Sequence, residues 1–401
     1  MGELISAAEV ADAAVRLRGI IRPTPVAGAD SISKVAGRTV FFKPEQLQRA
    51  GSFKIRGAYN RISRLPAGVE VVAASAGNHA QGVALAASLT GHGATIFMPA
   101  TAPLPKVQAT RDYGAEIRLV DGVVDDCIAA ALGHAAATGA VCVPPFDDPL
   151  IIAGQGTVGV ELLDEAPEVS VVVVPVGGGG LISGVAVAMK AARPGITIIG
   201  VEAAGAASVR RSLDAGALVQ LDTISTMADG IALKAASELT LAHIGALVDD
   251  VVTVSEEEIS RAVVLLIERA KAVVEPAGAV GLAALLAGRI PGSGPAVAIL
   301  SGGNVDPLLL TKLIDHGLSA AGRYLVLRVV LGDRPGALAG LTSAVATMAL
   351  NVLSVEHHRE GLDLAVDEVE VVLTLETRDP AHRDEVVRDL RAAGYRVDLV
   401  R

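Results

Sequence analysis

Short apolar runs alternate with longer, Ala-rich stretches of helical character along the first 320 residues. Several of the short runs are continuous stretches of Val and Ile, which is typical of parallel strands that are covered on both faces. The clearest predicted strands are Val69–Ala74, Ala94–Pro99, Glu116–Val120, Ser170–Val176, Thr197–Glu202 and Ala296–Leu300. Predicted helices between them include Gln81–Thr90, Val124–Thr138, Leu181–Ala192 and Glu256–Ala272. This alternation predicts an α/β domain built on a mostly parallel sheet.

The pattern changes near Gly322, and from Arg323 onward the predicted order is strand, helix, strand, strand, helix, strand. The predicted strands are Tyr324–Leu331, Asn351–Arg359, Glu368–Glu376 and Tyr395–Val400. A first helix is predicted over Ala337–Ala349 and a second one begins near Pro380. This order is that of a ferredoxin-like βαββαβ unit. We therefore place a domain boundary between residues 322 and 323.

Composition and charge exclude several classes of protein. Hydrophobic residues make up 51% of the chain, which is enough for a large core. The chain has 34 Lys and Arg against 44 Asp and Glu, a net charge of −10, and its aromatic content is 2%. Nucleic acid and anionic membranes are therefore not expected as partners, since both require a basic surface. Two cysteines, Cys127 and Cys142, are too few for a disulfide framework or a Cys-rich metal site and predict a reduced, cytoplasmic protein.

The uncharged stretch Val169–Met189 is long enough to cross a membrane. Pro175 and the four glycines Gly177–Gly180 interrupt it. A buried strand, a glycine loop and a packed helix are the better interpretation.

Two polar motifs in the first half of the chain come just before predicted helices. Lys54 lies in Ser52-Phe53-Lys54-Ile55-Arg56-Gly57, just before a predicted helix. A lysine is usually a surface charge, but a desolvated amine loses its proton and can form an imine. The second motif, residues 75–82, has backbone N–H groups that suit a substrate carboxylate. Alternatively, Ser75 or Asn78 simply caps the helix.

Three further motifs complete the candidate chemistry. Gly177–Gly180 lies between a strand and a helix, and its N–H groups suit a phosphate, although the spacing matches neither a dinucleotide fingerprint nor a P-loop. Glu275 precedes Pro276-Ala277-Gly278 and either faces a pocket or caps a helix. Ser301, followed by Gly302-Gly303-Asn304, ends a strand where open α/β sheets bind ligands. Together the lysine, the glycine loop and the hydroxyl predict a site for pyridoxal phosphate.

These motifs, together with Ala228-Asp229-Gly230 and in this order, resemble the threonine dehydratase (threonine ammonia-lyase) branch of the tryptophan-synthase-β-like superfamily. The resemblance covers about residues 10–320. It implies a pyridoxal-phosphate-dependent fold of two lobes with open twisted parallel sheets in residues 1–322, the smaller lobe at roughly 41–144 being inserted in the larger one. It also implies conversion of L-threonine to 2-oxobutanoate and ammonia in isoleucine biosynthesis, with L-serine giving pyruvate as a side activity.

The resemblance assigns a role to each matching residue. Lys54 is expected to form the Schiff base with pyridoxal phosphate and to remove the substrate α-proton, and Ser75 is a second catalytic candidate. The residues expected to hold the cofactor are Lys54, Phe53, Asn78, Gly177, Gly178, Gly179, Gly180, Leu181, Gly230, Glu275 and Ser301. Those expected to bind the substrate are Ser75, Ala76, Gly77, Asn78 and His79.

Two departures from the family bear on alternative functions. Ala76 stands where the serine racemases have a serine, which disfavours racemisation. Near Glu202, Ser208 replaces an aspartate of the family's cation site, so we predict no divalent metal and leave a monovalent cation open. A serine or hydroxyaspartate dehydratase, a racemase and a non-catalytic amino-acid sensor remain alternatives. The order of threonine and serine is also open, because a methyl group is worth only ~1–3 kcal/mol.

Residues 323–401 resemble an ACT domain, through Asp333-Arg334-Pro335-Gly336-Ala337-Leu338 and Asn351-Val352. The resemblance implies an amino-acid effector, isoleucine or valine, whose carboxylate binds the N–H groups near Gly336. A dimerisation module without a ligand is the alternative. Because one such unit is visible in the sequence, we expect pairing between chains, as a homodimer or a homotetramer.

Overall fold

The structure is a computed structural model that describes residues 4–320, 322–359 and 364–400. Two compact units are present, one up to Leu310 and one from Thr311 onward. A helix, Pro307–Ala320, spans the division between them. The boundary predicted between residues 322 and 323 lies just after this helix. That the catalytic part of the chain ends there remains a prediction.

The described residues form fourteen strands and fifteen α-helices. The strands are β1 (Ala27–Gly28), β2 (Val40–Lys43), β3 (Val71–Ala74), β4 (Ala94–Pro99), β5 (Glu116–Val120), β6 (Val141–Cys142), β7 (Val171–Pro175), β8 (Thr197–Ala203), β9 (Asp250–Val254), β10 (Ala296–Ile299), β11 (Tyr324–Gly332), β12 (Val352–His358), β13 (Glu368–Glu376) and β14 (Arg396–Leu399). The α-helices are α1 (Ala7–Leu17), α2 (Asp30–Ala36), α3 (Lys54–Ile62), α4 (Asn78–Thr90), α5 (Leu104–Asp112), α6 (Val124–Thr138), α7 (Pro149–Glu165), α8 (Gly180–Ala192), α9 (Ser208–Ala215), α10 (Glu238–Leu247), α11 (Glu256–Leu265), α12 (Pro276–Leu286), α13 (Pro307–Ala320), α14 (Ala337–Thr347) and α15 (Pro380–Ala392).

The larger sheet of the first unit has the order β1-β2-β10-β7-β8-β9. All neighbours in it are parallel except the short edge pair β1 and β2. Its inner strands β7 and β10 are buried along their whole length, as expected for strands covered by helices on both faces. The sheet therefore confirms the α/β class predicted from the Val- and Ile-rich runs.

The smaller sheet has the order β5-β4-β3-β6 and is parallel throughout. Strands β4 and β5 have the predicted bounds. Strand β2 belongs to the larger sheet, so the smaller sheet itself runs from Val71 to Cys142. Its core of small aliphatic side chains packs between β3, β4 and helices α3 and α4.

The uncharged stretch Val169–Met189 forms β7, the glycine loop and the first three turns of α8, as the sequence predicts. Within the described ranges, we find no helix of the length and apolar character that crossing a membrane requires.

The second unit contains an antiparallel sheet in the order β12-β13-β11-β14, with helices α14 and α15. Alternate residues of β11 and β13 are buried, and Leu341, Val345 and Leu390 of the two helices join them in one core. This arrangement confirms the predicted βαββαβ unit.

Most predicted helices differ from the structure by at most three residues at an end, and the largest difference is in the helix predicted over Glu256–Ala272. The expected helix Glu256–Ala272 is α-helical only to Leu265 and continues as a π-helical turn, Leu266–Ala270. It ends at Lys271, whose φ of 56° is left-handed. The apolar periodicity continues through this turn while the hydrogen-bonding pattern widens, so the prediction was wrong about where the α-helix ends.

A buried network of charges fixes the start of α3. Arg56 is fully buried and forms paired contacts with both Glu45 and Glu161, the closest at 2.7 Å and 2.6 Å. Lys43, also fully buried, lies 2.6 Å from Glu161 and 2.9 Å from Glu165. Two-pronged arginine–carboxylate contacts restrict orientation as well as distance. The network therefore joins α3 to β2 and α7.

Candidate active site

Lys54 is the first residue of α3 and follows a segment that is attached to the end of β10. Ser52 forms an isolated β-bridge with Gly302, and the N–H of Phe53 donates to the main-chain oxygen of Ser301 at 3.1 Å. The amine of Lys54 donates to the main-chain oxygen of Pro145 at 2.9 Å and lies 5.2 Å from the centre of the Phe53 ring. These contacts hold the lysine at the carboxyl edge of the larger sheet.

The surroundings of Lys54 make its amine less basic. Part of the side chain faces the cavity, but the amine itself lies deep in the protein, and burial lowers the pKa of Lys54 to about 8, against a smaller opposing effect of Glu275. Its neighbours are a carbonyl and an aromatic ring rather than a paired carboxylate. A lysine of this kind is available as a nucleophile and a base near neutral pH.

The four glycines Gly177–Gly180 connect β7 to α8 and leave no room for side chains. A Cβ on Gly178 would lie 2.2 Å from a ring carbon of Phe146, and one on Gly177 would lie 2.9 Å from Cα of Ile231. Gly179 has a left-handed φ of 86° and precedes α8 without a side-chain cap. Because the first N–H groups of a helix lack partners within it, this uncapped start suits an anion.

Asn78 and Glu275 meet across the cavity. Asn78 begins α4, and its Nδ2 donates to Oε1 of Glu275 at 2.6 Å. Glu275 precedes α12 without capping it through its side chain. Burial and the nearby Asp229 raise the pKa of Glu275 to about 7, despite the hydrogen bond from Asn78. A carboxyl group near its half-protonated point can both accept and donate a proton at neutral pH.

A single cavity collects all eleven residues predicted to hold the cofactor. Those that line it are Phe53, Lys54, Asn78, Gly177, Gly178, Gly179, Gly180, Leu181, Gly230, Glu275 and Ser301. Ser301 follows β10 and is 4% exposed. A Cβ on Gly230 would lie 2.9 Å from Cβ of Ala277, so this position too is limited to glycine.

The loop predicted to bind the substrate lies less clearly in this cavity. Of the described residues from Ser75 to His79, Asn78 alone lines it. Ser75 accepts a hydrogen bond from the N–H of Gly77 at 3.1 Å. His79 contacts the oxygen of Val143 at 2.8 Å, and burial, followed by the charge of Lys54, lowers the pKa of His79 to about 3. His79 is thus a neutral structural partner of the segment that precedes Pro145.

Sequence reasoning missed several residues of the cavity wall, including Pro145, Phe146 and Gln155. Gln155 lies on the buried face of α7, where its Oε1 accepts from the N–H of Gly57 at 3.1 Å. Its position between two glycines in Gly154-Gln155-Gly156 was the available signal. Phe146 lay in a segment without a recognisable motif, although phenylalanine occurs only five times in the chain.

In the segment expected to resemble a cation site, main-chain N–H groups bind the carboxylate of Glu202. Glu202, fully buried, accepts hydrogen bonds from the N–H groups of Val209 and Arg210 at 2.9 Å and 2.8 Å. Burial nevertheless raises the pKa of Glu202 to about 7. The hydroxyl oxygen of Ser208 is buried without a hydrogen-bond partner. No group of three or more metal-ligating side chains occurs in the part of the chain that the structure describes.

A second cavity lies within the second unit. It is bordered by the turn between β11 and α14 and by residues of β12 and β13: Gly332, Asp333, Arg334, Pro335, Gly336, Ala337, Leu338, His357, Arg359 and Val369. Gly336 has a left-handed φ of 89° and precedes α14 without a side-chain cap. The turn predicted to receive a carboxylate therefore does border a cavity.

The residues of the first cavity fit pyridoxal phosphate. The amine of Lys54 has a lowered pKa and no paired carboxylate among its described contacts, as attachment of an aldehyde requires. The loop Gly177–Gly180 presents uncapped N–H groups where side chains would clash, as a phosphate requires. The neutral hydroxyl of Ser301 supplies a hydrogen-bonding group at the strand end.

Comparison with known proteins agrees with these features. The family model for pyridoxal-phosphate dependent enzymes matches residues 17–302, and the model for the ACT domain matches residues 325–394. An L-threonine ammonia-lyase of Geobacter sulfurreducens is 47% identical over 390 residues, covering 96% of this chain and 97% of that protein. An L-threonine ammonia-lyase of Thermotoga maritima is 45% identical over 401 residues, covering 99% of this chain and 100% of that protein.

Among solved structures, maize serine racemase has a TM-score of 0.75 at 38% identity, covering 79% of this chain and 99% of that one. The chain therefore belongs to the family of pyridoxal-phosphate dependent enzymes, in the group that includes the L-threonine ammonia-lyases, and carries a C-terminal ACT domain.

Proposed function

We propose that this protein is an L-threonine ammonia-lyase, which converts L-threonine to 2-oxobutanoate and ammonia and, as a side activity, L-serine to pyruvate and ammonia. The observation that carries the proposal is the cavity in which the amine of Lys54 and the uncapped loop Gly177–Gly180 lie together. The substrate is supported by the relatives of the same length that carry this name. Supply of 2-oxobutanoate for isoleucine synthesis is the role that fits such an activity.

In this proposal Lys54 would attach pyridoxal phosphate covalently through its amine, and the N–H groups of Gly177–Leu181 would bind the phosphate. Phe53 would pack beside the ring, Asn78 would donate to its phenolic oxygen, and Ser301 would contact its nitrogen. Glu275 and Gly230 complete the wall on the Asn78 side, where they lie against each other. When bound, the cofactor supplies an electron-withdrawing ring that stabilises negative charge at the substrate α-carbon.

The proton transfers fall to side chains with pKa values near neutrality. With its pKa lowered from 10.5 to about 8, the Lys54 amine has a neutral fraction near pH 7 that would take the α-proton. The departing β-hydroxyl needs a proton, and we propose Glu275, with its pKa raised to about 7, as a donor alongside the cofactor phosphate. Loss of water followed by hydrolysis of the resulting enamine releases the keto acid and ammonia.

Ser301 favours elimination over other outcomes at the same carbon. Its hydroxyl is uncharged, so it cannot hold a protonated ring nitrogen as a carboxylate does. With the cofactor bound, a ring beside this hydroxyl would withdraw less charge, which would favour early loss of the β-hydroxyl over transamination. This reasoning assigns Ser301 a role in deciding the product.

The loop Ser75–His79 is proposed to bind the substrate carboxylate, with Ser75 as its catalytic candidate. Ser75 is half-buried. It lies three residues before Asn78, the first residue of α4, so the first N–H groups of this helix follow directly after Ser75–Gly77. A serine racemase is the second candidate function, favoured by the similarity to the maize enzyme. Ala76 argues against it, since a methyl group cannot exchange a proton on the second face of the substrate.

The ACT domain is proposed to bind isoleucine or valine in the cavity beside Gly336. Arg334 and Arg359 border this cavity and provide positive charge for a carboxylate, while Leu338 and Val369 provide apolar surface for a branched side chain. We propose that chains pair as a homodimer or homotetramer. Size-exclusion chromatography with light scattering, with and without isoleucine, tests the assembly.

Two further proposals concern the surroundings of the enzyme. The partnerless hydroxyl oxygen of Ser208 supports a monovalent cation held near Glu202 mainly by carbonyl groups. Comparison of activity in potassium, sodium and tetramethylammonium buffers tests it. Cys127 and Cys142 are both free thiols, which supports a reducing, cytoplasmic location.

The decisive experiment is steady-state keto-acid release from L-threonine and L-serine, each with and without isoleucine. We expect 2-oxobutanoate from threonine at a higher kcat/KM than pyruvate from serine. Chirality of the remaining amino acid, followed in parallel, separates a lyase from a racemase. Loss of chirality without keto acid, or no turnover by protein that retains bound pyridoxal phosphate, would refute the proposal.

A further inference from the structure

Asn304 joins the lysine segment to Asn78 through one side-chain amide. Its Nδ2 donates to the main-chain oxygen of Ala50 at 2.8 Å and to Oδ1 of Asn78 at 2.7 Å. Ala50 lies four residues before Lys54, and Asn78 lines the cavity. No role was assigned to Asn304 from the sequence beyond its place after Ser301.

The contact with Ala50 determines the orientation of the side-chain amides of Asn304 and Asn78. A main-chain oxygen can only accept a hydrogen bond, so the atom of Asn304 that faces it must be the NH2 group. The same NH2 group also faces Asn78, whose facing atom must therefore be its oxygen. Asn78 consequently turns its own NH2 group toward Glu275, whose Oε1 is 2.6 Å away.

The backbone next to this amide is shaped to receive it. Ala50 and Gly51 have left-handed φ values of 59° and 68°. A Cβ on Gly51 would lie 2.3 Å from Oδ1 of Asn304, so glycine is required there on two grounds. A non-glycine residue in this conformation persists only where its surroundings stabilise it, and here the carbonyl of Ala50 receives the bond from Asn304.

We propose that Asn304 is a positioning residue that holds the NH2 group of Asn78 toward Glu275 and the cofactor side of the cavity. The inference rests on the proposed function, in which Asn78 donates a hydrogen bond to the cofactor. If the Asn78 amide turned over, its oxygen would face Oε1 of Glu275 and an electron-rich oxygen of the cofactor. The contact with the cofactor would be repulsive, the contact with Glu275 would be repulsive whenever that carboxyl is ionised, and both are prevented by one bond from Asn304.

The test is an isosteric exchange of donor for acceptor. Asn304→Asp keeps the shape of the side chain but cannot donate to Asn78, so the Asn78 amide is expected to turn over. In equilibrium dialysis of the full chain against pyridoxal phosphate, we expect roughly 10- to 100-fold weaker binding, the size of one lost hydrogen bond with a repulsive replacement. Wild-type affinity in Asn304→Asp would overturn the proposal.

A matched control is available at Asn60, which is fully buried and does not line the cavity. Its Nδ2 donates to the main-chain oxygen of Leu150 at 2.7 Å, so Asn60→Asp loses the same kind of bond, while its Oδ1 keeps the contact with Arg16 at 2.9 Å. We expect this variant to bind pyridoxal phosphate within about threefold of wild type. Equal loss of affinity in both variants would mean that general destabilisation, rather than orientation, is responsible.

A double variant separates the effect of how the Asn78 amide is oriented from the effect of how many hydrogen bonds it makes. In Asn304→Asp with Glu275→Gln, the turned-over Asn78 donates to the new aspartate and accepts from the new glutamine, so both bonds of Asn78 are restored with reversed polarity, while the bond to Ala50 stays lost. We expect Tm to recover in part relative to Asn304→Asp while cofactor affinity stays weak. Recovered affinity would overturn the proposal.

If Asn304→Asp does not fold, Asn304→Ala provides the same measurement without the added charge. A smaller loss of affinity for pyridoxal phosphate is expected there, and unchanged affinity would equally refute the role of Asn304. Because dialysis follows the cofactor and not threonine, failure of the proposed substrate would leave this result intact.

Discussion

Replacing Lys54 with methionine is expected to stabilise the cofactor-free protein near pH 7 while abolishing its activity. Burial lowers the pKa of Lys54 from 10.5 to about 8. At ~1.4 kcal/mol per pKa unit, keeping the amine charged inside the fold costs about 3 kcal/mol. Part of the side chain faces the cavity and the bond to Pro145 is lost on substitution, so we expect a net gain of about 1–2 kcal/mol in the free energy of unfolding.

The pH dependence of this gain follows from the same pKa. Below pH 8 the folded and unfolded chains both hold the proton, and the wild type carries the full penalty. Between pH 8 and 10.5 the unfolded lysine is protonated while the folded one is not, so wild-type stability rises relative to the variant. The advantage of Lys54→Met should therefore shrink by up to ~1.4 kcal/mol per pH unit in this range.

Urea unfolding of the cofactor-free chain, followed by circular dichroism at several values between pH 7 and 10, measures the difference. Lys34→Met, at an exposed position of α2, is the matched control and should show no such trend. The same Lys54 preparation should release no keto acid and lack the absorption band of lysine-bound cofactor. A variant less stable than wild type at pH 7, or a difference independent of pH, would refute a buried, charged amine at this site.

Two substitutions at the site and one deletion of the C-terminal domain test separate parts of the proposal. Ser301→Asp places a carboxylate at the proposed ring-nitrogen contact and should increase transamination relative to keto-acid release; chromatography of products would show unchanged partitioning if the reasoning is wrong. Gly178→Ala should weaken binding of pyridoxal phosphate tenfold or more, because its Cβ meets the Phe146 ring at 2.2 Å, and Phe146→Ala in the same chain should restore part of it. Deletion of residues 323–401 should leave turnover but remove any response to isoleucine, and a retained response would place regulation elsewhere.

Periodicity predicted those parts of the fold in which local pattern and burial agree. Strands such as β4 and β5 have short apolar or alternating runs between clear turns, and their bounds match. Helix α7 was not singled out, because Gly154, Gly156 and Gly159 resemble loop residues in the sequence. In the structure a Cβ at Gly154 would lie 2.6 Å from α3 and one at Gly156 would lie 2.7 Å from Gly184 of α8. Close packing of helices, which a single segment does not reveal, explains these glycines.

The candidate site was predictable where residue type and position carried the chemistry. Lys54, the glycine loop and Ser301 each stand at the end of a strand or the start of a helix, so the carboxyl edge of the sheet brings them together. Phe146 and Gln155 were not predictable, because their places depend on packing between distant segments. Asn304 lay inside a recognised motif, yet its partners are more than 200 residues away along the chain.

The buried charges around Arg56 also determine which part of the enzyme can yield when an amino acid enters. Arg56 is two residues beyond Lys54 and is gripped by carboxylates on both sides, so displacing α3 would leave several ions unpaired in the interior. Asn78, at the start of α4, is held to Glu275 and to Asn304 by single hydrogen bonds, which are far cheaper to break than buried ion pairs. Admission of substrate should therefore displace the loop that leads into α4, while the backbone that carries Lys54 stays in place.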